Sequence, residues 1–321
     1  MTSIDFHTVP KTELHIHLEG SIPHDALFQL IEKYGGAPGI TRSESLEERF
    51  HFRSFPEFID AFAWKNGFLR EYDDFEFIAE AIAADLAAQN IRYVEMFYSP
   101  TSFMEHSRTI QELTAAIRRG FNKVPGTTIN LIADFVRDYG PEHEILYLPH
   151  LAEVKNLGVI GISLGGSEHA FPPAPFAPLY ESARLLGFKT TVHAGEAAGP
   201  ESIWDALEFL KPDRIGHATR ATEDPLLVKH LAEKQIPLEL CPGSNVRTGV
   251  ITLLKNHPVR EYFNAGCLIS INSDDPWMFG TRLANEYQGL VDKCDFSVEE
   301  IHTLIRMAEK SSWNTEDSGV S

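Results

Sequence analysis

Apolar and β-branched residues gather along the chain in eight short runs. Each run is followed by a turn and then by apolar residues at helical spacing. The runs are TELHIHL (12–18), IRYVEMFYS (91–99), TINLIADFV (128–136), VIGISLG (159–165), KTTVHAG (189–195), RIGHAT (214–219), IPLELC (236–241) and LISINS (268–273). Between them, DFEFIAEAIAADLAAQ (74–89) places Phe75, Ile78, Ile82 and Leu86 on one helical face. Two further helical stretches open with capping-box spacing, Thr109 with Glu112 and Ser297 with Glu300. Strand–helix alternation repeated eight times predicts the α/β class, as a closed (β/α)8 TIM barrel. An open doubly wound sheet is the alternative, but no GxGxxG follows the first strand.

The interval between the first two strands is too long for one connection. Helical patterns near 24–34, 56–70 and 74–89 predict a helical insertion at about 21–73, followed by the first outer helix. A single domain over 1–310 is expected. The final SSWNTEDSGVS (311–321) lacks periodicity and reads as a frayed tail.

Composition narrows the partners. The 321 residues carry 28 Lys+Arg against 46 Asp+Glu, a formal charge of −18. That balance disfavours nucleic acid or an anionic membrane, each of which wants a basic surface. It does not exclude a nucleoside, which carries no phosphate. Self-association into a homo-oligomer is left open. Cys241, Cys267 and Cys294 show no CxxC spacing, which fits a reducing compartment. The N-terminus does not read as a signal peptide and no apolar run approaches membrane-spanning length, so the cytoplasm is the expected location.

Metal-binding and acid–base residue types collect where the predicted strands end. His15 and His17 end the first, His193 and Glu196 the fifth, His217 the sixth, and Asp274 with Asp275 the eighth. In a TIM barrel those ends form one mouth, where the chemistry sits. Residues two apart on a strand point the same way, so both imidazoles of the HxH can enter that mouth. Three histidines and a carboxylate with a position left for water suit catalytic zinc, giving the expected ligands His15, His17, His193 and Asp274. The same mixed nitrogen and oxygen set would also accept Fe2+, Mn2+ or Co2+. Taken singly, an HxH can be incidental and an Asp-Asp-Pro can simply start a turn; the joint placement is what argues for a metal.

The motifs PKTELHIHLEGS, GISLGGSE, TVHAGEAAGP, RIGHATR, LCPGSNVRTG and SINSDDPWMFG together resemble the adenosine deaminase family of the amidohydrolase superfamily. The resemblance implies one zinc and hydrolytic loss of ammonia from C6 of a 6-aminopurine nucleoside, adenosine or a modified adenosine. It implies that His15, His17, His193 and Asp274 ligate the metal and that Glu196 donates a proton to purine N1. His217, with Asp274, would take the proton of the attacking water. Asp275 would contact N7 and the Gly166 amide N3, with His17, Glu19 and Ser167 on the N3 and sugar side. VIGISLGGSE has no lysine that could bridge two metals, which favours one. The HxE…PCxxC signature of cytidine-type deaminases is absent. A catalytically silent purine-binding relative should lack Glu196 or His217, and both are present.

Two positions depart from nucleoside-specific relatives, Glu19 and Ser167 each standing where an aspartate is common. The sugar end of the substrate is therefore open, with 6-amino-6-deoxyfutalosine and free adenine as the alternatives. Trp277, Met278 and Phe279 could line an enlarged pocket or pack beneath the loop. Phe62, Trp64, Phe68 and Leu69 could cover the substrate or pack on the barrel, and Arg247 could meet a carboxylated substrate or merely position its loop.

Overall fold

The computed structural model describes residues 4–52, 55–104 and 108–314. Five parallel strands lie in chain order in one sheet: β1 (Lys11–His17), β2 (Ile91–Tyr98), β3 (Thr128–Val136), β4 (Val159–Gly165) and β5 (Lys189–Thr190). Four more lie in a second: β6 (His193–Ala194), β7 (Ile215–His217), β8 (Leu238–Leu240) and β9 (Ile269–Ile271). β5 and β6 are two ends of one stave, where a single strand 189–195 was expected. Between them Thr191 donates its N–H to Ile162 on β4 (3.0 Å), and Val192 accepts from Gly216 on β7 (2.8 Å). The ladder thus passes from one sheet to the other through residues that pair with both neighbours.

The other seam closes at the sites of interest. His17 N–H donates to the Asp274 carbonyl (2.9 Å), and Asp274 N–H donates to the His15 carbonyl (3.1 Å). Just before it, the Asn272 side chain accepts from the N–H groups of Leu14 (2.9 Å) and His15 (3.2 Å) and donates to the Leu240 carbonyl (3.3 Å). A side-chain amide stitches β1 to β8 where the strands themselves make few ladder bonds. The result is a closed eight-stave barrel, as the alternation predicted.

Between β1 and β2 come α1 (His24–Lys33), α2 (Ser45–Arg49), α3 (Phe55–Asn66) and α4 (Tyr72–Ala88). α2 had no counterpart in the sequence pattern. α3 stops at Asn66 rather than running to residue 70. Asp74 accounts for the break, because its carboxylate accepts from the N–H groups of Arg70 and Glu71 (both 2.8 Å) and starts a new helix there. Of the two expected capping boxes one forms in full, Ser297 and Glu300 capping each other, while Thr109 accepts from Glu112 N–H but donates its own N–H to the Tyr72 hydroxyl (2.8 Å). α5 (Ile110–Asn122) lies tight against α4, because a Cβ at Gly120 would collide with the Glu76 carbonyl.

The barrel floor, opposite the catalytic mouth, is ionic. Arg214, 1 % exposed, pairs with Glu95 (2.5 Å) and Glu239 (2.6 Å) and donates to the Ser311 carbonyl (2.9 Å). Trp313 stacks on its guanidinium at 3.5 Å and donates its N–H to Glu95 (2.5 Å). Residues 311–313 therefore plug the barrel and are not a frayed tail; a lone tryptophan beyond the periodic stretch hid this. Residues 315–321 lie outside the described set. No described helix is long and apolar enough to cross a membrane.

Candidate active site

Alternation along β1 sends His15 and His17 to one side, with ring centroids 5.5 Å apart. The Nε2 atoms of His17 and His193 lie 3.3 Å apart. Asp274 Oδ1 sits 3.5 Å from His15 Nε2 and 3.3 Å from His17 Nε2. His15 Nε2 is buried and has no hydrogen-bond partner among the described residues. A second grouping, His15, His217, Cys241 and Asp274, also holds its donor atoms within 4.8 Å of one another. Such crowding of lone pairs, one of them orphaned, is costly without a cation between them. The nitrogen and oxygen donors suit a divalent transition metal.

Electrostatics inside the cluster follow from burial and its partners. Burial opposes charge on His15 and His17, but the Asp274 carboxylate, joined by Glu239 at His15, outweighs it and raises them to about 9 and about 10. The same contacts hold Asp274 well below the usual carboxylate range against its own burial. At His193 and His217 burial is reinforced by the neighbouring imidazoles. Burial lowers both, His217 to about 3, leaving its imidazole neutral. His217 (φ 62°) and Asp274 (φ 65°) occupy the left-handed region, unusual for non-glycine residues and typical of functional turns.

Glu196 is positioned by another carboxylate. Glu168 accepts the N–H groups of Gly195 (2.6 Å), Glu196 (3.1 Å), Ala197 (2.8 Å) and Ala198 (3.0 Å), and the Ser202 hydroxyl (2.6 Å). These charge-assisted bonds wrap the loop around Glu168 and aim Glu196 toward His217, whose Nδ1 is 3.6 Å away. Burial, then the charges of Asp274 and Glu168, pushes the Glu196 carboxyl well above its ordinary range. Asp275 is likewise raised, to about 7, by burial and by Asp274. A buried arginine completes the scaffold: Arg137 donates to the carbonyls of His193 (2.5 Å) and Phe171 (2.8 Å).

These groups form the floor of a cavity of about 1130 Å3. His17, His193, Glu196, His217, Asp274 and Asp275 line it, as do Gly166 and Ser167 on the strand-four side. His15 lies behind them with no exposed surface. Glu19 is also off the cavity wall, 1 % exposed, with one oxygen accepting Ser99 N–H (2.9 Å). Of the aromatic candidates, Phe62 and Leu69 reach the cavity, whereas Trp64 and Phe68 pack against each other at 5.3 Å. Trp277 stacks on Arg282 at 3.9 Å and Phe279 on Phe58 at 5.2 Å, so both pack beneath the loop. Arg247 donates to the Phe50 carbonyl (3.2 Å) and ties the insertion to the barrel.

Several site residues had no signal in the pattern. Glu239 on β8 lies 2.9 Å from His15 Nδ1. Asp134 on β3 stands beside His17 and His193, its carboxyl raised to about 6 by burial. Lys65 on α3 is 1 % exposed and lowered to about 8 by burial, with Glu19 and Asp275 opposing. An isolated charged residue inside an apolar run was the available clue for the two carboxylates; Lys65 sat in a segment read as amphipathic.

Known proteins resemble this chain over nearly its whole length. The family described as Adenosine deaminase matches residues 10–320. The aminodeoxyfutalosine deaminase of Streptomyces avermitilis is 35% identical over 295 residues, covering 89% of this chain and 82% of its own. The solved adenine deaminase of Arthrobacter aurescens superposes with a TM-score of 0.87 at 30% identity, covering 96% of this chain and 94% of its own. A solved amidohydrolase from Burkholderia ambifaria with bound zinc gives 0.88 at 27% identity, covering 97% and 88%. The chain belongs to the adenosine deaminase family and is a metal-dependent hydrolase that deaminates adenine-like substrates.

Proposed function

We propose that this chain hydrolyses the C6–amino bond of a 6-aminopurine carrying a substituent at N9, a nucleoside or modified nucleoside, and releases ammonia. The observation that carries the reading is a protonatable buried carboxyl, Glu196, beside a convergent histidine cluster on the floor of a cavity of about 1130 Å3. That volume exceeds the roughly 300–1,000 Å3 of ordinary small-molecule pockets and leaves room beyond a bare purine.

His15, His17, His193 and Asp274 would hold one zinc ion. When bound, such an ion acts as a Lewis acid and lowers the pKa of a water from 15.7 to about 7. Glu196, its carboxyl held well above the ordinary range by burial, can pass a proton to purine N1, which draws electron density from C6 and opens it to attack. His217, neutral and facing Glu196, can accept a proton from the attacking water, with Asp274 as its charged neighbour. That proton leaves with the amino group as ammonia, and the second proton of the water returns to Glu196 as the C6 oxygen becomes a carbonyl, so water and the aminopurine yield the 6-oxopurine and NH3. Asp275, raised to about 7, holds a proton over part of the neutral range and can donate it to N7, while the Gly166 amide is available to N3.

Free adenine is the second reading, favoured by the likeness to the Arthrobacter adenine deaminase. Ammonia release from adenosine, 2′-deoxyadenosine, adenine and 6-amino-6-deoxyfutalosine, with zinc-loaded protein, separates the two. We expect kcat/KM for at least one 9-substituted compound to exceed that for adenine tenfold or more. A preference for adenine over all of them would overturn the proposal.

A further inference from the structure

The imidazoles that converge through Nε2 each turn the opposite ring edge toward a carboxylate. His15 has a dedicated one, Glu239, at 2.9 Å from Nδ1. His17 and His193 share another. Asp134 Oδ2 is 4.0 Å from His17 Nδ1, and Asp134 Oδ1 is 3.8 Å from His193 Nδ1. An imidazole that ligates a metal through Nε2 carries its proton on Nδ1, and an acceptor for that N–H sets both tautomer and ring orientation. Ser163 Oγ, 3.3 Å from His193 Nδ1, is the other polar atom beside that ring edge, and it is neutral.

Asp134 is placed for this, with the Ser163 hydroxyl as its other polar neighbour. Its residue is 6 % exposed, and Oδ1 has no hydrogen-bond partner among the described residues. It lies under β4, where a Cβ on Gly165 would come within 2.7 Å of Oδ2. Gly165 thus supplies the space that the carboxylate fills. Asp134 faces the Nδ1 edges, away from the Nε2 atoms, so it is badly placed to join the same ion as a ligand.

We propose that Asp134 is a positioning residue: its two oxygens, at 4.0 and 3.8 Å just beyond hydrogen-bond length, close on the Nδ1–H groups of His17 and His193 when a metal fills the cluster and so fix both rings. This rests on the ligand set proposed above. The rival role for a carboxylate on the cavity wall is contact with the substrate.

The test compares Asp134→Asn and Asp134→Ala with the unaltered chain. Zinc affinity is read by competition with a chromophoric chelator, and the melting point of metal-free protein and KM at saturating zinc are also measured. Loss of such an outer partner typically weakens metal binding about 10–100-fold. Asp134→Ala should fall in that range. Asp134→Asn should lose less, because its amide oxygen still accepts from one ring. The metal-free melting point of Asp134→Asn should stay within a few degrees, and KM within twofold. Zinc affinity within twofold of the original in both variants overturns the proposal, and doing so with a tenfold higher KM assigns Asp134 to the substrate instead. Failure of the ligand set is a separate result: His17→Ala that still binds stoichiometric zinc at full affinity would show it.

Discussion

The cavity has two walls built on opposite principles. Its floor is made of strand ends, and nearly every polar group there is held by a second polar group. His15 leans on Glu239, Glu196 on the Glu168 loop, His193 on Arg137, and Asp274 on the main chain of β1. The roof is made of α3 and the turn after it, where apolar contact dominates. Phe62 meets Phe58 at 5.9 Å and the Lys65 ammonium at 3.8 Å, while Leu69 and Tyr72 complete the rim. Directional bonds fix position to tenths of an ångström; aromatic packing tolerates exchange and small shifts. On the proposed function, the difference gives reaction type to the floor and substrate choice to the roof.

The sharpest way to break that division is to change the floor without changing its shape. Glu196→Gln keeps the volume and removes the transferable proton. General acid–base groups contribute about 10²–10⁴-fold, so kcat for ammonia release should fall by that factor with zinc stoichiometry unchanged. Wild-type kcat in the zinc-loaded variant would remove Glu196 from the chemistry.

A smaller effect is expected from the roof. Phe62→Ala should lower kcat/KM for 9-substituted purines by up to tenfold, which is about 1.4 kcal/mol of transition-state binding. Free adenine, which reaches less of the roof, should lose no more than twofold. Equal losses on both compounds would mean that the roof helps to organise the reacting ring, and the division would fail.

The same contrast explains what the sequence revealed. Eight short apolar runs, each followed by a turn and a helical pattern, were enough for the barrel, because its staves are buried on both faces and read as near-continuous apolar runs. His15, His17, His193, His217 and Asp274 stood out because imidazoles and acids are expensive at such buried ends unless they have a task. Glu239 supports His15 from β8, Glu168 holds the Glu196 loop from beyond β4, and Asp134 stands beside two imidazoles; nothing local in LEL, ADF or GSE says which imidazole or N–H each will meet. The roof was least legible. Phe62 and Trp64, two residues apart on one helix, must point to opposite sides, and tertiary contact decides which of them faces the cavity. The break between α3 and α4 depended on one capping carboxylate, Asp74, inside an otherwise helical pattern.

The smallest effect probes the backing of the floor. Glu144 has no exposed surface, and its Oε1 accepts from the Thr101 hydroxyl (3.2 Å) and from Val136 N–H (3.4 Å), next to Arg137. Burial pushes its carboxyl up to about 8, so the folded chain carries it neutral at pH 7. The unfolded chain has an ordinary glutamate and gives up that proton near 4.5. Between those values the folded state binds more protons, so this residue's contribution to stability falls as pH rises through the window. Glu144→Gln mimics the neutral acid and removes the dependence. At pH 6, already inside the window, the variant gains from the missing ionisation and loses an O–H donor, so its melting point should lie close to that of the unaltered chain. At pH 9 it should be higher, by the equivalent of about 1–3 kcal/mol, the cost of a buried unsatisfied charge-bearing group. Ammonia release should change less than twofold at pH 7, because Glu144 touches neither the imidazole cluster nor the cavity. A melting-point difference that is the same at pH 6 and pH 9 would show that the floor is backed by an ionised carboxylate after all. Its polar support would then come from charge rather than from neutral hydrogen bonding.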